Sequence, residues 1–277
     1  MTSTSTVIAI DGVIVPPERA TISVLDRGLL YGDGAFEVLR TWNRRAVELD
    51  RHLDRLAETC AALQLRLDRG LVERAVADSV LQLAGAEDVR IRVVVTRGPG
   101  PLSAPLDALS GGHTIVIAEP MTPVVRGELS AVTIDMPIAR RAGRGHKTLA
   151  YLDHVVAREL ARQAGADEAI RLDGDGSVIE GATSNLFAVI AGEVLTPPVD
   201  AGVLPGIVRR RVLELHPVSV RSIARAELAS ADELFITSSI RGVVAVSSLD
   251  GTRLTPGPIT ERIARGYVAC MMALATI

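Results

Sequence analysis

One primary amine, Lys147, stands among 30 lysine and arginine residues; the other 29 are arginines. The difference is chemical. A guanidinium stays protonated near neutral pH, whereas a lysine sheds its proton when desolvated and then attacks a carbonyl. A chain with no lysine elsewhere keeps one where a primary amine is required. Composition alone leaves a stray surface lysine open, because GC-rich coding also favours arginine. A second group of interest is the carboxylate of Glu180, which lies in IEGATSNLFAV (179–189) at the mouth of an apolar strand. In isolation it reads as a solvated strand end. Its separation from Lys147, 180 − 147 = 33 residues, spans one helix and one hairpin. That length suits an amine and a carboxylate on opposite sides of one ligand.

Two other motifs fail on inspection. GRGHKT (143–148) superficially resembles a phosphate-binding P-loop, but the two required glycines are Arg141 and His146. LDGDGSVIEG (172–181) opens like a calcium loop, yet the position that must supply a bidentate glutamate is Ser184. Tight β-turns account for its Asp-Gly repeats. Cys60 and Cys270 are far apart with no CxxC, so neither a disulfide framework nor a metal site is expected.

Composition sets the class. With 277 residues, 48% hydrophobic and 23% charged, the chain has ample length for one large domain or two modest ones. A net charge of −3, with arginines scattered among acids, gives no electrostatic case for nucleic acid. MTSTSTVIAIDG lacks a basic region followed by an apolar run, so no signal peptide is visible, and no apolar stretch reaches membrane-spanning length. A cytoplasmic enzyme is expected.

The elements that must position these groups follow from periodicity. VIAIDGVIV (7–15) carries a DG turn between β-branched runs and predicts a hairpin. AFEVLRTW (35–42), VRIRVVVT (89–96), HTIVIAE (113–119), VTIDMPIA (132–139) and ELFITSS (233–239) read as strands. Helical spacing of apolar residues predicts helices over 51–65, 70–84, 149–164, 206–215 and 259–274. EPMTPVVRG (119–127), with two prolines and no period, reads as a linker between a small domain (1–118) and a large one (128–277). Mixed strands and helices without strict βαβ alternation predict an α+β fold.

Seven motifs then appear in order: DRGLLYGDGAFEVLR (26–40), HLDRL (52–56), HKTLAYL (146–152), GADEAIRLD (165–173), IEGATSNLF (179–187), TPPVDAGVLPGIVRR (196–210) and DELFITSS (232–239). Together they resemble the class IV aminotransferases, the fold type IV enzymes that use pyridoxal 5'-phosphate (PLP). The resemblance covers nearly the whole chain. It implies a two-domain homodimer with the cofactor between domains, working through two half-transaminations on an amino donor and a 2-oxo acid acceptor.

The same resemblance implies the roles. Lys147 matches the Schiff-base lysine and general base. Glu180 matches the carboxylate that pairs with the pyridine nitrogen. Tyr151, placed on the same helical side as Lys147, is expected to meet the cofactor's O3′. Arg55 matches the phosphate arginine, aided by the backbone N–H groups of Ile207 and Val208 and by Ser238 and Ser239. Leu204 is expected to pack on the ring. Many relatives carry threonine where Val208 stands, which removes one hydroxyl contact.

The subfamily signal is mixed. GDGAFEV (32–38) fits the D-amino acid aminotransferases, and FEV, LAY and SSI replace the FEG, GNY and GTA of branched-chain enzymes. The Arg-x-His carboxylate trap of the D-amino acid enzymes is missing from GPGPLSAP (98–105). Arg90 and Arg92 alternate on one strand and share a face, where they would suit a dicarboxylate such as 2-oxoglutarate. Phe36 is expected beside the substrate, and Arg27 is expected to reach the neighbouring subunit's pocket. The reading is a D-amino acid donor of the D-alanine or D-glutamate type. A branched-chain L-amino acid, an (R)-amine or an aminodeoxychorismate lyase reaction is the alternative.

Overall fold

Asp11 and Gly12 both take positive φ, 51° and 82°. That is the backbone of a two-residue hairpin turn whose twist matches its strands. It joins β1 (Val7–Ile10) to β2 (Val13–Val15), as the DG signal predicts. The computed structural model describes residues 6–109, 111–121, 127–136 and 145–276. Parts of three sequence readings fall outside these: 122–126 of the linker, 137–139 of the strand over 132–139, and 143–144 of GRGHKT.

The chain divides into two units, 1–124 with 146–151 and 274–277, and 125–145 with 152–273. In the first, among the described residues, lie helices α1 (Arg27–Tyr31), α2 (Leu49–Ala62) and α3 (Arg69–Gln82). Its strands β3 (Gly34–Trp42), β4 (Arg45–Ala46), β5 (Val89–Thr96) and β6 (Thr114–Pro120) complete a six-stranded sheet in the order β2-β1-β6-β5-β3-β4. Alternation decides which face is core. Val89, Ile91, Val93 and Val95 of β5 are buried against Leu53, Leu56 and Cys60 of α2 and Val72, Ala75 and Val76 of α3. Each large apolar side chain so buried contributes roughly 1.5–3 kcal/mol. The intervening β5 residues Arg90, Arg92 and Val94 occupy the other face.

The second unit carries α4 (Leu152–Gln163), α5 (Ile207–Leu215), α6 (Arg225–Ala229) and α7 (Pro258–Thr276). Its sheet is built from β7 (Leu129–Asp135), β8 (Glu168–Leu172), β9 (Val178–Gly181), β10 (Asn185–Ile190), β11 (Glu193–Thr196), β12 (Ser219–Val220), β13 (Glu233–Ser238), β14 (Gly242–Leu249) and β15 (Thr252–Arg253). Strand order runs β12-β11-β10-β13-β14-β7-β8-β9, with β15 beside β14. One face of β10 and β13 packs Phe187 on Phe235, ring centroids 4.7 Å apart, with Val212 of α5 and Ile263 of α7. The other face buries Leu186, Ala188 and Ile236 with Leu228 of α6.

The segment around Lys147 departs from the periodicity. The sequence reading begins a helix at 149 and places 128–277 in one domain. Observed, α4 starts at Leu152, and 146–151 clusters with the first unit. The cause is pairing with the start of β3. Phe36 N–H donates to the Lys147 carbonyl (2.9 Å), Leu149 N–H donates to the Gly34 carbonyl (2.9 Å), and Thr148 bridges Ala35. Long-range backbone bonds thus override the local amphipathic pattern. Gly34 must be glycine for this approach: a Cβ there would meet Leu149 and the Val95 carbonyl oxygen at 2.5 Å.

No helix among the described residues is long and apolar enough to cross a membrane.

Candidate active site

In the first unit, the pairing of 147–149 with β3 delivers Lys147 to Phe36. The Lys147 Nζ lies 4.4 Å from the Phe36 ring centroid and 5.5 Å from that of Tyr151. Tyr151 meets Phe36 edge-on, centroids 5.1 Å apart at 86°. Arg92, opposite Val38 across the β3–β5 ladder, places its guanidinium carbon 4.3 Å from the same Phe36 centroid. The sequence reading joined Lys147 and Tyr151 through a helix; they meet around Phe36 in extended chain instead. An amine, a phenol and a guanidinium therefore converge on one aromatic ring, an arrangement favoured by its quadrupole.

Arg90 shares the Arg92 face, which is the more open face of the strand. Arg90 is exposed and Arg92 half-buried. Burial pushes the Arg92 pKa down, and the charge of Arg90 adds to the effect. Arg27 is turned into its own chain. Its Nε donates to Asp33 Oδ2 (3.0 Å) and its Nη1 to the Pro101 carbonyl (3.0 Å).

Behind β3 lies a cluster that the sequence reading missed. Glu37 follows Phe36 and so points to the opposite face, toward α2. Its carboxylate accepts from Arg55 Nε (2.7 Å) and Nη2 (2.8 Å), and from His52 Nδ1 (2.7 Å). Burial opposes ionisation of Glu37. The Arg55 charge and the hydrogen bonds from His52 and Arg55 outweigh that, holding its pKa at about 2. Burial pushes the His52 pKa below its ordinary 6.5, with the Arg55 and Lys147 charges in the same direction, against the pull of Glu37. His52 is therefore neutral at pH 7 and carries its proton on Nδ1. The available signal was the pair His52 and Arg55 three apart on one helix, facing an acid on a buried strand position. On the same helix, Thr59 Oγ1 accepts from the Lys147 backbone N–H (3.4 Å).

These shifts have a consequence for stability. Both folded-state pKa values lie below the unfolded ones, so the unfolded chain binds more protons. The contribution of His52 is present above 6.5 and lost on acidification from there. That of Glu37 is present above 4.5 and lost as the pH falls toward about 2. The urea midpoint is expected to fall between about pH 7 and pH 5 and to fall again below pH 4.5. A midpoint flat down to about pH 4 would contradict this electrostatic account.

The second unit holds the other group of candidates. Glu180, at 6% exposure on β9, accepts at Oε2 from the Leu204 N–H (3.0 Å) and from Asn185 Nδ2 (3.1 Å). Gly206 caps α5 without a side-chain hydrogen bond, so the N–H groups of Ile207 and Val208 open that helix with no side chain covering them from the cap. Such a terminus carries partial positive charge and suits a phosphate. Ser238 ends β13 and Ser239 lies in the turn to β14, where Arg241 N–H donates to Ser238 Oγ (3.2 Å). Arg209, one position past Val208, is buried. Burial pushes its pKa down, against attraction from Glu180.

A primary amine beside aromatic rings, a buried carboxylate fixed by two donors, and an open helix terminus are the kinds of group that a pyridine aldehyde phosphate needs. The class IV amino-transferase family profile matches residues 34–249, and the chain belongs to that family. It is 36% identical over 273 residues to a putative branched-chain-amino-acid aminotransferase of Methanocaldococcus jannaschii, covering 92% of this chain and 93% of that one. Identity to the D-alanine aminotransferase of Bacillus licheniformis is 30% over 269 residues, covering 92% and 94%. The branched-chain aminotransferase of Thermoproteus uzoniensis, solved with norvaline, superimposes with a TM-score of 0.90 at 29% identity, covering 96% of this chain and 95% of that one. The fold is thus fold type IV, the cofactor is PLP, and the chain is a transaminase.

Proposed function

We propose that this aminotransferase moves an amino group from a D-amino acid, of the D-alanine or D-glutamate type, to a 2-oxo acid such as 2-oxoglutarate. PLP, when bound, supplies an aldehyde to condense with the donor and a ring that withdraws electrons from its Cα. Lys147 would hold the cofactor covalently, and its Nζ, released when the donor condenses, would move the proton from the donor Cα to the C4′ carbon, with the reverse transfer onto the acceptor. Glu180 would favour the protonated form of the pyridine nitrogen. Leu204 would pack on the ring, and Tyr151 would donate to O3′. Arg55, the N–H groups of Ile207 and Val208, and the hydroxyls of Ser238 and Ser239 are the groups that would hold the phosphate. Phe36 walls the amine from water, and Arg92 beside it binds the substrate carboxylate.

The observation that carries the transaminase reading is Lys147 Nζ and Arg92 on one Phe36 ring, 4.4 and 4.3 Å from its centroid. It sets a nucleophilic amine near a carboxylate receptor. The D-amino acid choice rests on GDGAFEV and the Bacillus licheniformis relative. A second reading, branched-chain L-amino acids, is favoured by the Methanocaldococcus and Thermoproteus relatives. It also gains from the loop at 98–105, which carries no cation, while Arg97 at its base is tied to Asp33 (2.7 Å) and the Leu63 carbonyl (2.6 Å). Leu152, Val155, Val156 and Leu160, exposed on one side of α4, support a homodimer.

The test offers D-alanine and L-leucine separately with 2-oxoglutarate and follows glutamate formation. Turnover of D-alanine, with L-leucine slower by about 10-fold or more, is expected; that ratio is on the order of 1.4 kcal/mol in transition-state binding. Turnover of L-leucine alone would replace the donor assignment and leave the transaminase standing.

A further inference from the structure

We infer that Asn185 is a positioning residue for Glu180, and this inference rests on the role proposed above for Glu180. Asn185 is 4% exposed at the start of β10. Its Nδ2 donates to Glu180 Oε2 (3.1 Å) and to the Leu204 carbonyl (2.9 Å). Both partners are acceptors, so the amide nitrogen must be the atom that faces them. The Leu204 N–H donates to the same Oε2 at 3.0 Å. One oxygen of the carboxylate is therefore held by two donors from separate elements, which fixes its rotation and leaves its direction no freedom.

The other end of the same amide also has a task. At Gly206, the cap of α5, a Cβ would collide with Asn185 Oδ1, so the helix cap approaches the amide as closely as a glycine allows. Asn185 also lies opposite Thr237 on β13, one residue before Ser238. A single side chain thus ties together the carboxylate assigned to the ring nitrogen, the residue assigned to the ring face and the cap of the helix assigned to the phosphate. A buried carboxylate that loses one of these donors loses part of its solvation and its aim. Misplacement of a catalytic group by about 1 Å costs on the order of 10²-fold in rate.

Four holoenzymes decide the matter: parent, Asn185→Ala, Glu180→Gln and the double variant. Two quantities are read, kcat and the pH midpoint at which the visible absorbance of bound PLP changes. Asn185→Ala is expected to lower kcat by about 10- to 100-fold and to move the midpoint in the direction that Glu180→Gln moves it. The double variant is expected to match Glu180→Gln within about twofold, because Asn185 acts through that carboxylate. Losses that multiply, or an Asn185→Ala midpoint equal to the parent's while Glu180→Gln moves it, would overturn the inference and leave Glu180 in place. If Glu180→Gln changes neither quantity, the Glu180 reading falls and the inference falls with it. Should Asn185→Ala fail to fold, Asn185→Ser, which keeps one donor, is judged by the same comparison.

Discussion

Lys147→Ala is expected to lower transamination by roughly 10⁴-fold or more, even with excess PLP present. Two functions vanish together: the covalent anchor and the amine that moves the Cα proton. General acid–base work by one group is alone worth about 10²–10⁴ in rate. No other lysine exists to take over, since all 29 remaining members of the Lys plus Arg total are arginines. An arginine at neutral pH has no free electron pair to offer. Stability should barely change, because Lys147 is only partly buried. Its contact with the Phe36 ring is worth about 0.5–2 kcal/mol. Kinetics paired with thermal melts therefore separate chemistry from folding. Activity within about tenfold of the parent would remove Lys147 from the mechanism.

The second large effect is on stability. Glu37→Gln leaves the buried guanidinium of Arg55 without its anion, and breaking a buried pair from one side costs about 3–5 kcal/mol. For a chain of this size that is a drop of roughly 10 °C in melting temperature. The carboxylate is 0% exposed, and it accepts two bonds from Arg55 and one from His52. Glutamine keeps the shape and one acceptor but turns a donor toward the donors of Arg55 or His52. A melting temperature within about 2 °C of the parent would show that the Glu37–His52–Arg55 cluster does little for the fold. Cofactor affinity should fall in the same variant, because Arg55 loses the anion that orients it.

Local signals were legible where local physics decides. The DG pair fixes the hairpin at 7–15, and VRIRVVVT gives the bounds of β5 as observed, Val89–Thr96. The helices from 51–65, 70–84, 206–215 and 259–274 appear as Leu49–Ala62, Arg69–Gln82, Ile207–Leu215 and Pro258–Thr276. What was not legible depends on partners distant in sequence. The helix expected from 149 yields to pairing with Gly34 and Phe36, more than 110 residues earlier. Sheet order is of the same kind: β7 runs parallel to both β8 and β14, and no local pattern specifies that.

The site divides along the same line. Lys147, Tyr151, Arg92 and Phe36 were each named from the sequence, and the structure brings these four together. Glu180 and Leu204 were named too, and they are bonded directly. Glu37, His52 and Asn185 escaped notice because their roles exist only once a strand face meets a helix or a strand meets a loop. Arg97 and Asp33 escaped for a different reason. Asp33 lies inside the quoted GDGAFEV and Arg97 directly follows VRIRVVVT, but an ion pair between positions 64 apart has no signature in sequence. Arg27, expected from the sequence to reach a neighbouring subunit's pocket, is bonded within its own chain to Asp33.

Covalent attachment of PLP at Lys147 underlies the proposed chemistry. The most direct measurement treats the yellow holoenzyme with borohydride, digests it and maps the phosphopyridoxyl group by mass spectrometry. Loss of the visible absorbance and a single modified peptide, with the group on Lys147, are expected. Recovery of Lys147 unmodified, with the cofactor washed out after reduction or attached elsewhere, would contradict that attachment.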